Sequence, residues 1–165
     1  TVQADTTEKV LNNWDNIKMA TKGQTTYTET LQSVAKSLPA LMRAEKVGKR
    51  ASKSGMDFAN VQDALDSVRS ELQELTQAIE HNDSENIYEE FGDLLLSCTN
   101  LARKLSIDSE RALFDATDKF IGRFKTTEDL TRSDGIDIKS LDIHQLDAYW
   151  QKAKTIKYQE DTKND

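Results

Sequence analysis

The sequence predicts an all-α protein, a four-helix bundle with short flanking pieces, from three observations. Only one proline and six glycines occur in 165 residues, and 31% of the residues are charged. This composition favours helix because Pro and Gly disfavour helix interiors. Apolar residues recur every three to four positions in several segments, which is the period of a helix that faces a core. Polar turn clusters separate these segments, and the length suits one domain.

The N-terminal part carries the weakest pattern. Apolar residues around Trp14 predict a short helix over about 6–20, whereas the polar stretch 21–36 predicts a linker with a domain boundary. We therefore expect three parts: an N-terminal helix and linker over 1–36, the main domain over 37–158 and a polar tail over 159–165.

The first helix of the main domain is predicted over about 38–53. Ser37 followed by Leu38 and Pro39 resembles a polar N-cap with proline in the first turn, and Gly55 supplies a stop. One side of this helix is basic and carries Arg43, Lys46, Lys49, Arg50 and Lys53. That basic side either faces solvent without a further role, or it binds phosphate or a partner.

Two longer helices follow and are predicted to form a helical hairpin. Asn60 is placed to cap the first, which runs to about His81. A polar turn leads into the second helix, which spans about Glu85 to Lys104.

Two more helices complete the predicted bundle. Asp108 is placed to cap a long helix, whose last turn is predicted to hold Lys119, Arg123 and Lys125. After a turn at 133–137, a final helix is predicted from about Ile143 to Lys157.

The candidate chemistry lies on the two hairpin helices, where four carboxylates occur as two pairs. Glu71-Leu-Gln-Glu74 is on the first helix and Glu90-Phe-Gly-Asp93 is on the second. Residues three apart share a helix face, so the hairpin would aim both pairs into one small space. None of the four has a Lys or Arg three or four positions away. Four unpaired negative charges this close repel one another unless a cation binds between them.

These carboxylates are expected to border the core. An apolar stripe on the first helix consists of Leu65, Val68, Leu72, Leu75 and Ile79. The stripe on the second consists of Ile87, Phe91, Leu94, Cys98, Leu101 and Leu105, with Glu90, Asp93, Ser97 and Asn100 along one flank. An acidic face that merely points to water is the alternative interpretation.

The available ligand types limit which cation could bind. A di-iron site would need Glu-x-x-His pairs, yet neither His81 nor His144 has a glutamate three positions earlier. Carboxylate oxygens without His or Cys select Mg²⁺ or Mn²⁺, and Mg²⁺ characteristically joins carboxylates to substrate phosphates. The pattern favours phosphoanhydride hydrolysis, with Lys119, Arg123 and Arg103 as candidate phosphate-binding cations. Helix-end charge explains these cations equally well.

Composition argues against several other classes of protein. A net charge of -7 argues against a nucleic-acid-binding design. The single Cys98 permits neither a disulfide framework nor a cysteine-based metal site. No segment approaches 18 consecutive apolar residues. We therefore expect a cytoplasmic protein without nucleic-acid or membrane partners.

These motifs together resemble the MazG family of nucleoside triphosphate pyrophosphohydrolases. The resemblance rests on the two carboxylate motifs and on segments in the matching order, namely Ser37-Leu-Pro-Ala-Leu-Met-Arg-Ala, Asn100-Leu-Ala-Arg103-Lys-Leu, Ala112-Leu, Lys119-Phe-x-x-Arg123-Phe and Trp150-x-x-x-Lys154. It covers about residues 36–155. It implies an all-α fold, usually dimeric, that cleaves a nucleoside triphosphate between the α and β phosphates.

The resemblance also implies roles for individual residues. The Mg²⁺ ligands and catalytic residues would be Glu71, Glu74, Glu90 and Asp93. The substrate-binding residues would be Lys119, Arg123 and Lys154 at the phosphates and Trp150 near the nucleotide, with Asn100 and Arg103 in addition. The competing interpretation is a catalytically silent helical module that binds metal for stability or acts through a partner.

A short repeat within the chain suggests a further copy of the same fold. Trp14-x-x-x-Lys18 has the pattern of Trp150-x-x-x-Lys154, which closes the region of resemblance. We therefore expect that Trp14 belongs to the end of a preceding repeat, and that residues 1–36 are poorly ordered or docked without their proper partner.

Overall fold

The fold is all-α, as the sequence predicts. A computed structural model describes Gly23 and residues 26–161, with side chains as far as residue 156. Those residues contain six α-helices and no strand. The helices are α1 (Tyr27–Gln32), α2 (Ala40–Ala51), α3 (Val61–Glu80), α4 (Ser84–Lys104), α5 (Ser109–Ser133) and α6 (Ile143–Asp161), with 3₁₀ turns at Ser52–Ser54 and Ile138–Ser140.

The chain divides into two compact units, Thr1–Glu110 and Arg111–Asp165. The first unit contains α1 to α4, and the second contains most of α5 together with α6. The predicted helix at 6–20 and the Trp14 repeat lie outside the described residues. None of the described helices is long and apolar enough to cross a membrane.

The hairpin of α3 and α4 is the main packing of the first unit. As predicted, the Asn60 side chain caps α3 by accepting a hydrogen bond from the backbone N–H of Asp63. Asp83 caps α4 in the same way through the N–H of Asn86. Asn82 adopts the left-handed conformation with φ 54°, which lets the chain reverse in a short turn. The two acidic helices are therefore antiparallel neighbours.

The start of α2 differs from its predicted form. Pro39, not Ser37, is the N-cap residue, and its side chain supplies no hydrogen bond. The Glu110 carboxylate instead accepts a hydrogen bond from the backbone N–H of Met42 at 3.3 Å. An acceptor distant in sequence therefore satisfies one of the free N–H groups at this helix end.

The predicted linker contains a helix. Thr26 and Glu29 form a reciprocal capping box that starts α1, and α1 packs against α2. The guanidinium of Arg50 donates to the Thr30 carbonyl and, at 2.6 Å, to the Ser33 hydroxyl. Val34 is 3% exposed. The sequence pattern did not predict α1, because periodicity cannot be recognised in a six-residue helix.

The predicted apolar stripes are only partly buried. Leu75 is in the core, but Leu72, Phe91 and Leu105 are exposed, and Cys98 is an exposed free thiol. The seam between α3 and α4 instead holds small side chains. It includes Ala64, Ala78 and Ser97, all buried. Only part of each predicted stripe therefore lies in the core of the described residues.

Helix α5, most of which lies in the second unit, is longer than predicted. Helix α5 continues to Ser133, so the prediction that Lys119, Arg123 and Lys125 lie in its last turn is wrong. Within the unit, the rings of Phe120 on α5 and Trp150 on α6 pack with centroids 5.1 Å apart.

Candidate metal centre and nucleotide site

Three carboxylates converge between α3 and α4. Each of Glu71, Glu90 and Asp93 offers a carboxylate oxygen, and these three oxygens all lie within 4.8 Å of one another. Glu71 projects from α3 and the other two from α4, so the group exists only when the hairpin is paired. Glu71 and Glu90 are half-buried, and Asp93 is exposed. The structure thus brings together three of the four predicted ligands.

Glu74 lies beside this group rather than within it. Its carboxylate accepts a hydrogen bond from the Ser70 hydroxyl at 3.0 Å, and its side chain is exposed. Its charge is nevertheless close enough to raise the pKa of both Glu71 and Glu90. Glu74 therefore contributes to the same negative electrostatic field, although its oxygens lie outside the group of three converging carboxylate oxygens.

The pKa values of two members reflect burial and mutual repulsion. Desolvation raises the pKa of Glu71, and the charges of Glu74 and Asp93 raise it further. Desolvation also raises the pKa of Glu90, followed by the charges of Glu74, Glu71 and Asp93. A bound cation would reverse this effect, because it favours the ionised form of each carboxylate.

The negative charges of this group are not neutralised by the positive side chains that the structure describes. Among the side chains that the structure describes, no Lys or Arg forms an ion pair with any of the four carboxylates. The ligand atoms are all carboxylate oxygens, and the site is open to solvent on one side. This arrangement fits a hard divalent cation such as Mg²⁺ or Mn²⁺.

The register of the hairpin explains why the carboxylates meet. The hydroxyl oxygens of Ser67 on α3 and Ser97 on α4 lie 3.1 Å apart. Because the helices are antiparallel, one turn forward from Ser67 reaches Glu71 and one turn back from Ser97 reaches Asp93. The carboxylates therefore occupy the layer next to the two serines.

Arg103 and Asn100, both predicted substrate ligands, lie farther along α4. The Arg103 guanidinium forms an ion pair with Asp57 at 2.5 Å, and Lys104 contacts the same carboxylate at 2.9 Å. The Asn100 amide oxygen lies 3.4 Å from an Arg103 nitrogen. The structure therefore shows Arg103 engaged with the loop before α3, and its role towards substrate stays a prediction.

Gly48 allows α2 to approach this part of α4. A Cβ atom at Gly48 would lie 2.7 Å from the Asn100 amide oxygen and 3.3 Å from Arg103 Nε. Neither separation is an ordinary contact for a carbon atom. A larger residue at this position would therefore have to displace the side chains of Asn100 and Arg103, which helical periodicity alone does not indicate.

The remaining predicted substrate residues lie in the second unit. Lys119 is exposed, whereas Arg123, Trp150 and Lys154 are half-buried. The Phe120–Trp150 contact joins α5 to α6 next to these positions. Arg123 Nε is buried without a hydrogen-bond partner. Such a donor is unusual in a folded protein and marks a place where an acceptor would be favourable.

Sequence reasoning missed two contributors to the neighbourhood of the site. Asp57 is a loop residue with no helical period, and only the fold brings it to Arg103. Ser70 binds Glu74 through a spacing of four residues on α3. That spacing is visible in the sequence and could have indicated the contact.

The part of the chain that contains these carboxylates matches a known protein family. Residues 60–127 match the MazG nucleotide pyrophosphohydrolase domain. The match contains all four carboxylates together with Lys119 and Arg123.

Residues 60–127 belong to the MazG family.

Curated relatives of this chain carry matching names. It is 39% identical over 141 residues to the nucleoside triphosphate pyrophosphohydrolase/pyrophosphatase MazG of Thermotoga maritima, covering 86% of this chain and 54% of that protein. It is 34% identical over 155 residues to the nucleoside triphosphate pyrophosphohydrolase of Escherichia coli K12, covering 92% and 58%. The chain thus spans little more than half the length of these two relatives.

A third relative has a different length and no assigned activity in its name. The uncharacterized protein YabN of Bacillus subtilis is 36% identical over 146 residues, which is 88% of this chain and 30% of YabN. The same helical region therefore occurs within proteins of different overall length.

Proposed function

We propose that this chain hydrolyses nucleoside triphosphates with the help of Mg²⁺, or of Mn²⁺ in its place. Water would add to the triphosphate and the bond between the α and β phosphates would break, giving a nucleoside monophosphate and pyrophosphate. The names of the Thermotoga maritima and Escherichia coli relatives support this class of activity.

The convergence of Glu71, Glu90 and Asp93 is the observation that carries the proposal. These three carboxylates would hold the cation, with Glu74 as a fourth, nearby negative charge. When bound, the cation would neutralise phosphate oxygens and lower the pKa of a water molecule. The carboxylates themselves orient the cation and keep the α3–α4 groove negative, so that a triphosphate binds there only together with metal.

Positive side chains would hold the phosphates that the carboxylates repel. We assign this role to Lys119, Arg123 and Lys154, because the resemblance implies it and because Arg123 has a buried, unpartnered Nε–H. Trp150, half-buried against Phe120, would offer the rest of its ring to the base. Asn100 and Arg103 would act at the edge of the site.

A homodimer would complete the active protein. Large apolar side chains are exposed on the helices of both units, including Leu72 and Phe91 in the first and Leu113 and Phe120 in the second. Exposed apolar faces of this extent are typical of protein–protein interfaces. A second copy would cover them and deepen the nucleotide site, since nucleotide sites usually bury most of their ligand.

A pyrophosphate-release assay tests the proposal directly. The four ribonucleotides and the four deoxyribonucleotides would be supplied one at a time, with Mg²⁺, with Mn²⁺ and with EDTA. We expect metal-dependent release of equal amounts of monophosphate and pyrophosphate. Glu74→Gln and Asp93→Asn should abolish turnover and leave the circular dichroism spectrum unchanged.

Other products would contradict the proposal. Release of inorganic phosphate and diphosphate would place the cleavage at the β–γ bond. Cation binding without turnover of any nucleotide would favour the catalytically silent module. Wild-type rates in both variants would rule out the carboxylate assignment.

A further inference from the structure

A pair of hydroxyl groups links α3 to α4 next to the carboxylates. The Oγ atoms of Ser67 and Ser97 are 3.1 Å apart, and Ser97 is 7% exposed. Ser67 precedes Glu71 by one helical turn, and Ser97 follows Asp93 by one turn. The hydrogen bond therefore spans the hairpin in the layer adjacent to the candidate metal ligands.

This bond differs from the usual hydroxyl bond of a helical residue. Thr76 on α3 and Thr99 on α4 each donate to the carbonyl oxygen four residues earlier on the same helix. Such a local bond satisfies the hydroxyl but connects nothing to a neighbouring helix. Ser67 and Ser97 bond to each other instead, so their hydroxyls act between the helices.

The surrounding seam keeps the helices close. Ala64 and Ala78, on the same face of α3 as Ser67, are 0% and 2% exposed. Small side chains along a helix–helix contact allow a short distance between the axes, which side-chain size largely sets. In the seam between Ala64 and Ala78, however, Glu71 and Glu74 repel the carboxylates of α4. The Ser67–Ser97 hydrogen bond links the two helices one turn away from these carboxylates.

We propose that Ser67 and Ser97 are positioning residues for the cation, because their hydrogen bond sets the separation and register of the turns that carry Glu71 and Asp93. This inference rests on the proposed function, since it takes the carboxylates to bind a divalent cation. Mg²⁺ demands a near-ideal arrangement of ligands, so a shift of one helix against the other weakens binding without removing a ligand.

The experiment measures cation affinity in the whole chain without nucleotide. Mn²⁺ would be titrated into the wild type, Ser67→Ala, Ser97→Ala and the double variant, and free Mn²⁺ would be followed by its electron paramagnetic resonance signal. We expect each single variant to bind Mn²⁺ about 2- to 10-fold more weakly, the loss that one hydrogen bond can account for. The double variant should bind no more weakly than the singles, because all three lack the same bond.

Two variants separate positioning from general stability. Thr99→Val removes a buried hydroxyl that bonds only within α4, so it should lower the melting temperature in EDTA and leave Mn²⁺ affinity unchanged. Ser67→Thr keeps a hydroxyl at the more exposed serine and should retain wild-type affinity. If Ser97→Ala does not fold, Ser67→Ala carries the same prediction.

The outcomes distinguish this inference from the proposed function. If the wild type binds Mn²⁺ and the serine variants bind it equally well, the positioning role is overturned and the metal site stands. If the wild type binds neither Mn²⁺ nor Mg²⁺, the metal site fails and the positioning role fails with it.

Discussion

Arg103 donates hydrogen bonds from both terminal guanidinium nitrogens to the Asp57 carboxylate, at 2.5 and 3.3 Å. Only 13% of the Arg103 side chain and 24% of the Asp57 side chain are exposed. Asp57 lies in the loop before α3, and Arg103 lies in the last turn of α4. The ion pair thus closes the hairpin at the end opposite its turn.

Replacing Asp57 by Asn should lower stability in a pH-dependent way. The hydrogen bond from Arg103, aided by that from Lys104, holds the pKa of Asp57 well below its ordinary value. The stabilisation is therefore complete above the ordinary carboxyl pKa of about 4 and is lost as the pH falls towards the lowered value. We expect Asp57→Asn to reduce the free energy of unfolding by about 1–2 kcal/mol at pH 7.

Urea unfolding at pH 7, 5 and 3 measures this difference. The difference in the free energy of unfolding between the wild type and Asp57→Asn should be constant from pH 7 to 5 and smaller at pH 3. Asp66→Asn is the matched control, because Asp66 pairs with Arg69 on an exposed helix face and its loss should cost less. Equal effects of the two substitutions would contradict the special role of Asp57.

Neutralising Glu90 should stabilise the metal-free protein. The pKa of Glu90 is raised, so its ionisation opposes folding at neutral pH and this cost disappears as the pH falls through the raised value. We expect Glu90→Gln to melt at a higher temperature than the wild type in EDTA at pH 7. The gain should vanish near pH 4, where the wild-type carboxyl is protonated. A lower melting temperature at pH 7 would contradict the prediction, because the ionised Glu90 carboxylate would then not oppose folding.

Divalent cations should stabilise the wild type by binding to the three converging carboxylates, Glu71, Glu90 and Asp93. A ligand that binds only the folded state adds about 2.7 kcal/mol at a concentration 100 times its dissociation constant. We expect the melting temperature to rise with Mg²⁺ or Mn²⁺ in the wild type and to stay constant in Asp93→Asn. Glu89→Gln is the control, since Glu89 neighbours the site on α4 and is not one of the three converging carboxylates. A similar rise in Asp93→Asn would place the cation elsewhere.

The cations and the tryptophan of the second unit should affect substrate binding differently. Lys119→Ala, Arg123→Ala and Lys154→Ala should raise KM about equally for all nucleotides, because a cation near phosphate does not distinguish bases. Trp150→Ala should change the ranking among bases, whereas Trp150→Phe should preserve packing against Phe120.

Steady-state kinetics with each of the eight nucleotides measures both the KM values of the cation variants and the ranking among bases in the Trp150 variants. Lys125→Ala is the control on α5, because Lys125 pairs with Asp129 at 2.6 Å and has no assigned role. An unchanged ranking in Trp150→Ala would assign that side chain to packing alone.

The exposed apolar faces should support a dimer. We expect light scattering to give twice the mass of the chain, and Phe114→Asp on the exposed face of α5 to shift the protein towards monomer with a loss of activity. Met56→Asp is the control, because Met56 is a more exposed apolar residue in a loop. A wild-type monomer with full activity at nanomolar concentration would rule out the dimer.

Local signals in the sequence were sufficient for the hairpin and its carboxylates. Asn60 and Asp63 have the spacing of an N-cap, and the cap is present. The three-residue spacings of Glu71–Glu74 and Glu90–Asp93 place each pair on one helix face. Antiparallel pairing across a short turn then makes convergence the expected outcome. These features depend on residues close together in the chain, so the sequence determines them almost alone.

Tertiary structure decided which side chains share contacts across long separations. Asp57 meets Arg103, Glu110 caps α2 through Met42, and Gly48 lies against Asn100. None of these contacts has a periodic signature, because each depends on how separate helices pack.

Burial was likewise decided by packing. Leu72 and Phe91 lie on predicted stripes yet are exposed, whereas the small residues of the α3–α4 seam are buried. Hydrophobic periodicity shows which face of a helix is apolar, but not what covers that face. The distance between two packed helices depends on the side chains at their contact. At the α3–α4 seam those side chains are small, and they bring the carboxylates together.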